Sequence, residues 1–373
     1  LKIALLHYSY APVVGGVEGV VERHARLFAR AGHEVTTLVI PELRCDHPLS
    51  QEAQAEIDAG SPGPAFAKVE QALAVKFARL EVDILFIHNV LTMPFHLACT
   101  SALWKAAETT RCIGWIHDIA AANPDYALPF LERLPWRLLV SAHPAIEYVA
   151  VSEHRARAFE KLTGRKCEVV PNGVDPWELL DLTPPVAELA QKEKLLERDI
   201  VLLHPARILR RKNIELGLRV AAALKGCRYL VTGAPDTHNP ASANYAAFLR
   251  ALRSENAIFV NERFPVTRRD LSSLYRLADM LFFPSRQEGF GIPLLEAAVC
   301  GLPIACADVE PMNSLWPRED VTFFDPDGDP RALADGIRRL SRSSSIQNRK
   351  FAIRKHSWES IFTNYLEPLL ANR

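Results

Sequence analysis

The stretch Met280-Leu-Phe-Phe-Pro-Ser-Arg-Gln-Glu-Gly-Phe-Gly-Ile-Pro-Leu-Leu-Glu296 changes character twice. Met280 to Pro284 is a short apolar run, read as a buried strand. Leu294 to Cys300 is read as an apolar helix with Pro293 near its first turn. Between them lie Gly289, Phe290, Gly291 and Ile292. A loop of small residues between strand and helix leaves backbone N–H groups free, and with the helix dipole these favour an anion. The unit therefore predicts an α/β sheet carrying a phosphate at a helix start.

Glu288 and Glu296 bracket that turn. A glycosidase pair needs carboxylates roughly 5 to 10 Å apart, whereas eight residues of ideal helix span about 12 Å. The two therefore have different tasks: Glu288 lies in the loop where a reacting sugar fits, and Glu296, on the helix, suits a ribose. The alternative is a helix-start charge at Glu288 and a solvated Glu296.

Short runs apolar on both faces recur along the chain. Lys2–His7, Glu34–Ile40, Asp83–His88, Cys112–His117 and Glu147–Val151 form one series, with helical periodicity over Val17–Ala31 and Pro94–Ala107 between them. After the proline-containing stretch Thr183 to Arg198 come Asp199–His204, Arg228–Thr232, Ala257–Val260, Asp279–Phe283 and Pro303–Cys306. Strands buried on both faces fit parallel sheets covered by helices. The expected fold is α/β with two Rossmann-like, doubly wound parallel-sheet domains, 1–182 and 183–356.

With 373 residues the chain suits two domains. Lys plus Arg and Asp plus Glu each number 44, a balance that gives no support to nucleic-acid binding. The seven cysteines are scattered, odd in number and mostly within apolar runs, so they read as buried thiols rather than a disulfide framework or zinc site. No secretory segment or apolar run of about 18 residues occurs, giving a soluble, cytoplasmic expectation, with a peripheral place at the inner membrane face as the variant. Tyr126–Val140, with two prolines, reads as a packed core or acceptor-site helix ahead of an interfacial one.

The segment Glu288 to Glu296 resembles the Glu-x7-Glu motif of retaining glycosyltransferases of family 4, which have the GT-B fold of two domains facing a central cleft. The resemblance covers nearly the whole chain. It implies that residues 357–373 form a helix crossing back to the N-terminal domain, that domain 1–182 binds acceptor, and that domain 183–356 binds a nucleotide sugar. The acceptor loops, 41–65 and 120–144, are the least family-like part.

Each further motif follows a strand. Gly15-Gly16, in Ala11-Pro-Val-Val-Gly-Gly-Val-Glu18, allows close backbone approach at a helix start; as a plain turn it would need no ligand, but it resembles the glycine loop that approaches the donor diphosphate. His117-Asp118 ends an apolar strand, where a histidine is either structural or donates to a sugar hydroxyl or the developing charge, with Asp118 orienting or acidifying it; the family's matching His contacts the donor sugar. His88-Asn89 ends the preceding strand as a supporting or acceptor-side pair, and His7 is weaker. Val170-Pro-Asn172-Gly-Val-Asp175 matches a family signature and reads as a positive-φ turn serving hinge and cleft geometry. Arg207 and Lys212 resemble the family's Arg-x4-Lys pair, which binds the diphosphate; cations there stabilise charge left on the β-phosphate. Arg210 and Arg211 stay unassigned, and the whole run could be a solvated charge patch. Arg263 or Phe264 is a candidate to hold the base. Asp325-Pro-Asp-Gly-Asp329 fails the calcium-loop pattern and reads as a turn and helix cap, so no metal is expected.

The resemblance thus implies a retaining hexosyltransferase without cofactor or metal. UDP-sugar is favoured over GDP-mannose as donor, with a saccharide, lipid-linked or small-molecule hydroxyl as acceptor. A sugar-nucleotide epimerase and a non-catalytic nucleotide-sugar-binding protein are the alternatives.

Overall fold

A computed structural model of the chain describes residues 1–10, 15–43, 47–235 and 240–371. Ala11 to Val14, Cys45 and the last two residues lie outside them. The chain divides into two compact units, Leu1–Gly173 with Trp358–Arg373, and Val174–Ser357.

The first unit is built on β1 (Lys2–Leu6), β2 (Glu34–Leu38), β3 (Ile84–His88), β4 (Cys112–Ile116), β5 (Ile146–Ala150) and β6 (Glu168–Val169). They form one parallel sheet in the order β2-β1-β3-β4-β5-β6. β3 and β4 are buried at every residue, while the edge strand β2 is only partly covered. The chain runs from β1 outward to β2, then returns to β3 on the other side of β1. That reversal opens a crevice beyond the carboxyl ends of β1 and β3, where open α/β sheets take their ligands.

The second unit holds β7 (Ile200–His204), β8 (Cys227–Val231), β9 (Ala257–Phe259), β10 (Met280–Phe283), β11 (Ile304–Ala307) and β12 (Thr322–Phe324). The parallel order is β12-β11-β10-β7-β8-β9, which is the doubly wound dinucleotide-binding order read from the other edge. Its reversal lies between β7 and β10. Both strands are buried throughout, so only the loops that follow them are free to differ.

The C-terminal segment belongs to the first unit. Trp358, Ile361, Leu366, Leu369 and Leu370 pack in one core cluster with Val20, Phe28, Phe86 and Trp115. Burial of each such side chain contributes roughly 1.5–3 kcal/mol. Gly173 lies against the Trp358 ring, where a Cβ would sit 2.6 Å from a ring carbon. The units therefore part at Gly173 and Val174 rather than at 182/183. Residues 174–182 pack into the second unit, where Arg276 donates to the carbonyls of Leu180, at 2.7 Å, and Asp181.

Several readings of the sequence change. Much of 41–65 is not loop: a turn at Pro41–Leu43 leads into helices Pro48–Asp58 and Pro64–Ala78. The Glu56 carboxylate accepts from the N–H groups of Gly63, Ala65 and Phe66 at 2.7–3.0 Å and so caps the second of these. Tyr126–Val140 forms no α-helix, only a 3-10 turn at Trp136–Val140, because its prolines interrupt the ladder. Neither Asn172 nor Gly173 has positive φ; contact with Trp358 is what requires glycine at 173. Among the described residues no helix is long and apolar enough to cross a membrane. Four of the described cysteines are buried and all six are unpaired.

Candidate functional site

In the second unit the loops after β7 and β10 are joined directly. The backbone N–H of Arg286 donates to the Arg211 carbonyl at 2.8 Å, and Arg211 Nη1 donates to the Gln287 carbonyl at 2.9 Å. Arg207 is exposed three residues beyond His204, the last residue of β7. Its loop runs so close to the one after β8 that a Cβ on Gly233 would lie 2.0 Å from the Ala206 carbonyl oxygen. A 3-10 turn, Arg210–Lys212, follows, then Asn213 at φ 53, which turns the chain into helix Ile214–Ala223.

That turn aims Lys212 at Glu288. Their side chains, 11% and 9% exposed, form a buried ion pair, and Arg211 reaches the other carboxylate oxygen at 3.3 Å. Lys212 Nζ also lies 5.5 Å from the Phe283 ring centre. Burial draws the Lys212 ammonium below its ordinary pKa; Glu288 opposes this, while Arg211 and Arg207 add to it. Arg211, unassigned from sequence, is thus part of the cluster. Arg210 instead lies over the Tyr245 ring at 5.2 Å.

Helix Ile292–Val299 begins at Gly291, whose φ of 95° suits glycine alone, with Pro293 in its first turn. Its N-cap glycine has no side chain to cap it, and Gly289, Phe290 and Ile292 are exposed while Leu294 is buried. Glu296 has partners of its own. It accepts from Tyr275 Oη at 2.7 Å and pairs with Arg268 at 2.6 Å, at the edge of a cavity of about 280 Å³. The two glutamates therefore belong to separate hydrogen-bond sets. Phe264 packs against the core and Arg263 pairs with Glu193 at 3.5 Å. Asp325 and Asp329 make a turn and cap helix Pro330–Leu340, with Asp329 accepting from Ala332 N–H at 2.8 Å.

In the first unit a cavity of about 500 Å³ lies at the reversal between β1 and β3. Its walls include His7, Gly16, Glu18, Asn89, His117 and Asn172. Asn89, at φ 63, turns its side-chain oxygen to accept from the N–H groups of both His117 and Asp118, at 2.9 and 3.0 Å. The His117 ring meets His88, not Asp118: His117 Nε2 is 3.0 Å from His88 Nδ1. The Asp118 carboxylate instead pairs with Arg155 at 2.9 Å and accepts from Ile119 N–H and Asn123, so it does not orient the imidazole. Burial, with His7 nearby, pushes His117 down to about 3.

Gly15 and Gly16 enter helix Gly16–Arg30, but the close approach at Gly15 is made by the chain itself. A Cβ there would sit 2.1 Å from the Glu18 carboxylate, which accepts from Ser9 at 2.5 Å. Burial works to raise the Glu18 carboxyl, yet the Ser9 hydrogen bond, its own N–H and His7 together hold it below its ordinary value. Sequence reasoning passed over Glu18, although it closes the same glycine motif.

The family description "Glycosyltransferase Family 4" matches residues 14–178, and "Glycosyl transferases group 1" matches residues 186–356. The chain belongs to glycosyltransferase family 4. Its two doubly wound sheets are the domains of that family's GT-B fold. Among curated relatives, a D-inositol 3-phosphate glycosyltransferase of Xylanimonas cellulosilytica is 26% identical, over 96% of this chain and 94% of that one. One of the same name from Mycobacterium sp. (strain JLS) is 36% identical, over 54% of this chain and 46% of that one. Among solved structures, Anabaena HepE in complex with UDP and glucose is 19% identical over 99% of both chains, with a TM-score of 0.38.

Proposed function

We propose that this glycosyltransferase moves a hexose, with retention, from a nucleotide-diphosphate sugar to an acceptor hydroxyl, and that UDP-sugars serve better than GDP-mannose. The observation that carries the reading is the joined pair of loops at the β7/β10 reversal. One brings Arg207, Arg211 and Lys212, and the other brings Glu288 and an uncapped helix start. Cations fixed beside a helix N-terminus suit a diphosphate, and they stabilise the charge that grows on it as the sugar–phosphate bond breaks. In this reading they fill the place of a metal.

Gly289, Phe290, Gly291 and Ile292 contribute backbone N–H groups to the phosphates, with Pro293 and Leu294 forming the first turn of the helix behind them, Glu296 binds the ribose, and Arg263 and Phe264 border the base. Glu288 holds Lys212 in place before the donor arrives and then accepts from hydroxyls of the transferred sugar. In the first unit His117 meets a sugar hydroxyl, with Gly16, Asn89 and Asn172 in the wall of the same cavity and Gly15 and Asp118 each one residue behind it. The acceptor occupies a neighbouring cavity of about 950 Å³, which shares Tyr8 and Phe95 with the His117 cavity. Its aromatic faces and the side chains of Gln51, Gln54 and Asp58 suit a saccharide or another polyol, a class that includes the inositol phosphate for which the relatives are named.

The test is release of nucleoside diphosphate from a panel of UDP-, GDP- and ADP-sugars with polyol and saccharide acceptors, followed by NMR of the product anomer. A glycoside that keeps the donor's anomeric configuration supports the proposal. An inverted product, or epimerised donor with no glycoside formed, refutes it.

A further inference from the structure

His88, the last residue of β3, is fully buried. Its ring meets that of His117 edge to edge, with planes 29° apart and centroids 5.3 Å apart, and its Nδ1 lies 3.0 Å from His117 Nε2. Its other nitrogen, Nε2, is buried with no hydrogen-bond partner among the described residues. The rings of Trp115 and His24 have their centroids 5.7 and 5.5 Å from that of the His88 ring.

One proton lies between the two histidines, and its parent can be deduced. If His117 Nε2 donates, neutral His88 must carry its proton on Nε2, burying an N–H with no acceptor. If His88 Nδ1 donates, Nε2 keeps only an unused lone pair. Orphaned N–H groups are the rarer and costlier of the two in protein interiors, so the second arrangement wins.

We infer that His88 is a positioning residue: its Nδ1–H donates to His117 Nε2 and so fixes His117 as the Nδ1–H tautomer, a hydrogen-bond donor to the cavity. Burial keeps both rings neutral, well below their ordinary pKa, so the choice of tautomer persists across the working pH range. His7 has the complementary polarity. Its Nδ1 donates to the His88 carbonyl at 2.9 Å, leaving Nε2 an acceptor on the same cavity, 3.8 Å from Glu18. The wall thus offers a donor at His117 and acceptors at His7 and Glu18, which matches a hydroxyl that accepts from one and donates to another. That last step rests on the glycosyl-transfer reading; the tautomer does not.

The experiment is long-range ¹H–¹⁵N correlation NMR of the histidine-labelled full chain near neutral pH, with His117 assigned by loss of its signals in His117→Gln. The expected pattern is a pyrrole-type Nδ1 and a pyridine-type Nε2. The reverse pattern overturns the inference, and the wild-type spectrum alone decides this. His88→Asn, whose amide nitrogen can replace Nδ1 as donor, is expected to keep the His117 pattern and kcat. His88→Leu is expected to lose the pattern and roughly tenfold or more in kcat, the worth of one hydrogen bond, with donor KM little changed. Equal losses in both variants would mean a structural role and overturn the positioning role. An Nδ1–H spectrum in a chain without glycosyl transfer refutes the proposed function and leaves this inference standing.

Discussion

Removing Glu288 tests whether Lys212 and Glu288 form one buried charge unit. Both side chains are about one-tenth exposed, so solvent screens them little. Breaking a buried pair by removing one partner costs about 3–5 kcal/mol. The two single losses are not equivalent. Lys212→Met leaves Glu288 with Arg211 at 3.3 Å, whereas Glu288→Gln leaves the Lys212 ammonium buried with Arg211 and Arg207 acting on it. Glu288→Gln is therefore expected to cost about 3 kcal/mol, Lys212→Met nearer 1, and the double variant about the same as Lys212→Met, a coupling of about 3 kcal/mol. The assay is urea-dependent hydrogen exchange, read by mass spectrometry on peptides covering β7 and β10. Without Glu288, the folded-state pKa of Lys212 falls further below its unfolded value. The unfolded chain then binds more protons, and stability rises with pH until Lys212 reaches its ordinary range. The Glu288→Gln deficit should accordingly be smaller at pH 9 than at pH 7. Additive losses that do not depend on pH would refute the reasoning.

Three further outcomes follow from the structure. Gly233→Ala places a Cβ against the Ala206 carbonyl and should lower the thermal midpoint measurably while displacing the Arg207 loop; an unchanged melting curve would count against that close approach. His24 and His117 are pushed down to about 3 by burial, so the unfolded chain takes up protons the folded one cannot as pH falls below about 6.5. Stability in denaturant should fall from pH 7 to pH 5, and less so in His24→Phe; equal losses would contradict the assignment. Glu296→Ala should weaken UDP binding about tenfold in calorimetry, since one charge-assisted hydrogen bond contributes about 1.5–3 kcal/mol, and an unchanged dissociation constant would remove the ribose role.

The parallel sheets were legible because central strands such as Ile84–His88 and Ile200–His204 are short and apolar at nearly every position. The edges were not. β6 has two residues and β12 three, too few for a pattern, and partial exposure leaves them no apolar run. Helix Pro48–Asp58 was hidden for a related reason: Ala53 and Ile57 are its buried apolar contacts, and the rest of its sequence is largely polar or small. At the site, spacing identified Lys212 and Glu288 singly but not as partners, because their pairing depends on two strands far apart in sequence becoming neighbours. The same holds for His117, whose adjacent Asp118 suggested a pair that the fold replaces with His88 from the next strand.

The claim that the Lys212 loop holds a donor diphosphate is tested most directly by isothermal titration of UDP and UDP-sugars into the chain and into Lys212→Ala. The account predicts saturable binding by the parent chain and a loss of tenfold or more in the variant, since a charge-assisted hydrogen bond to phosphate is removed. Nucleotide binding that is absent from the parent, or equal in the two, would contradict it.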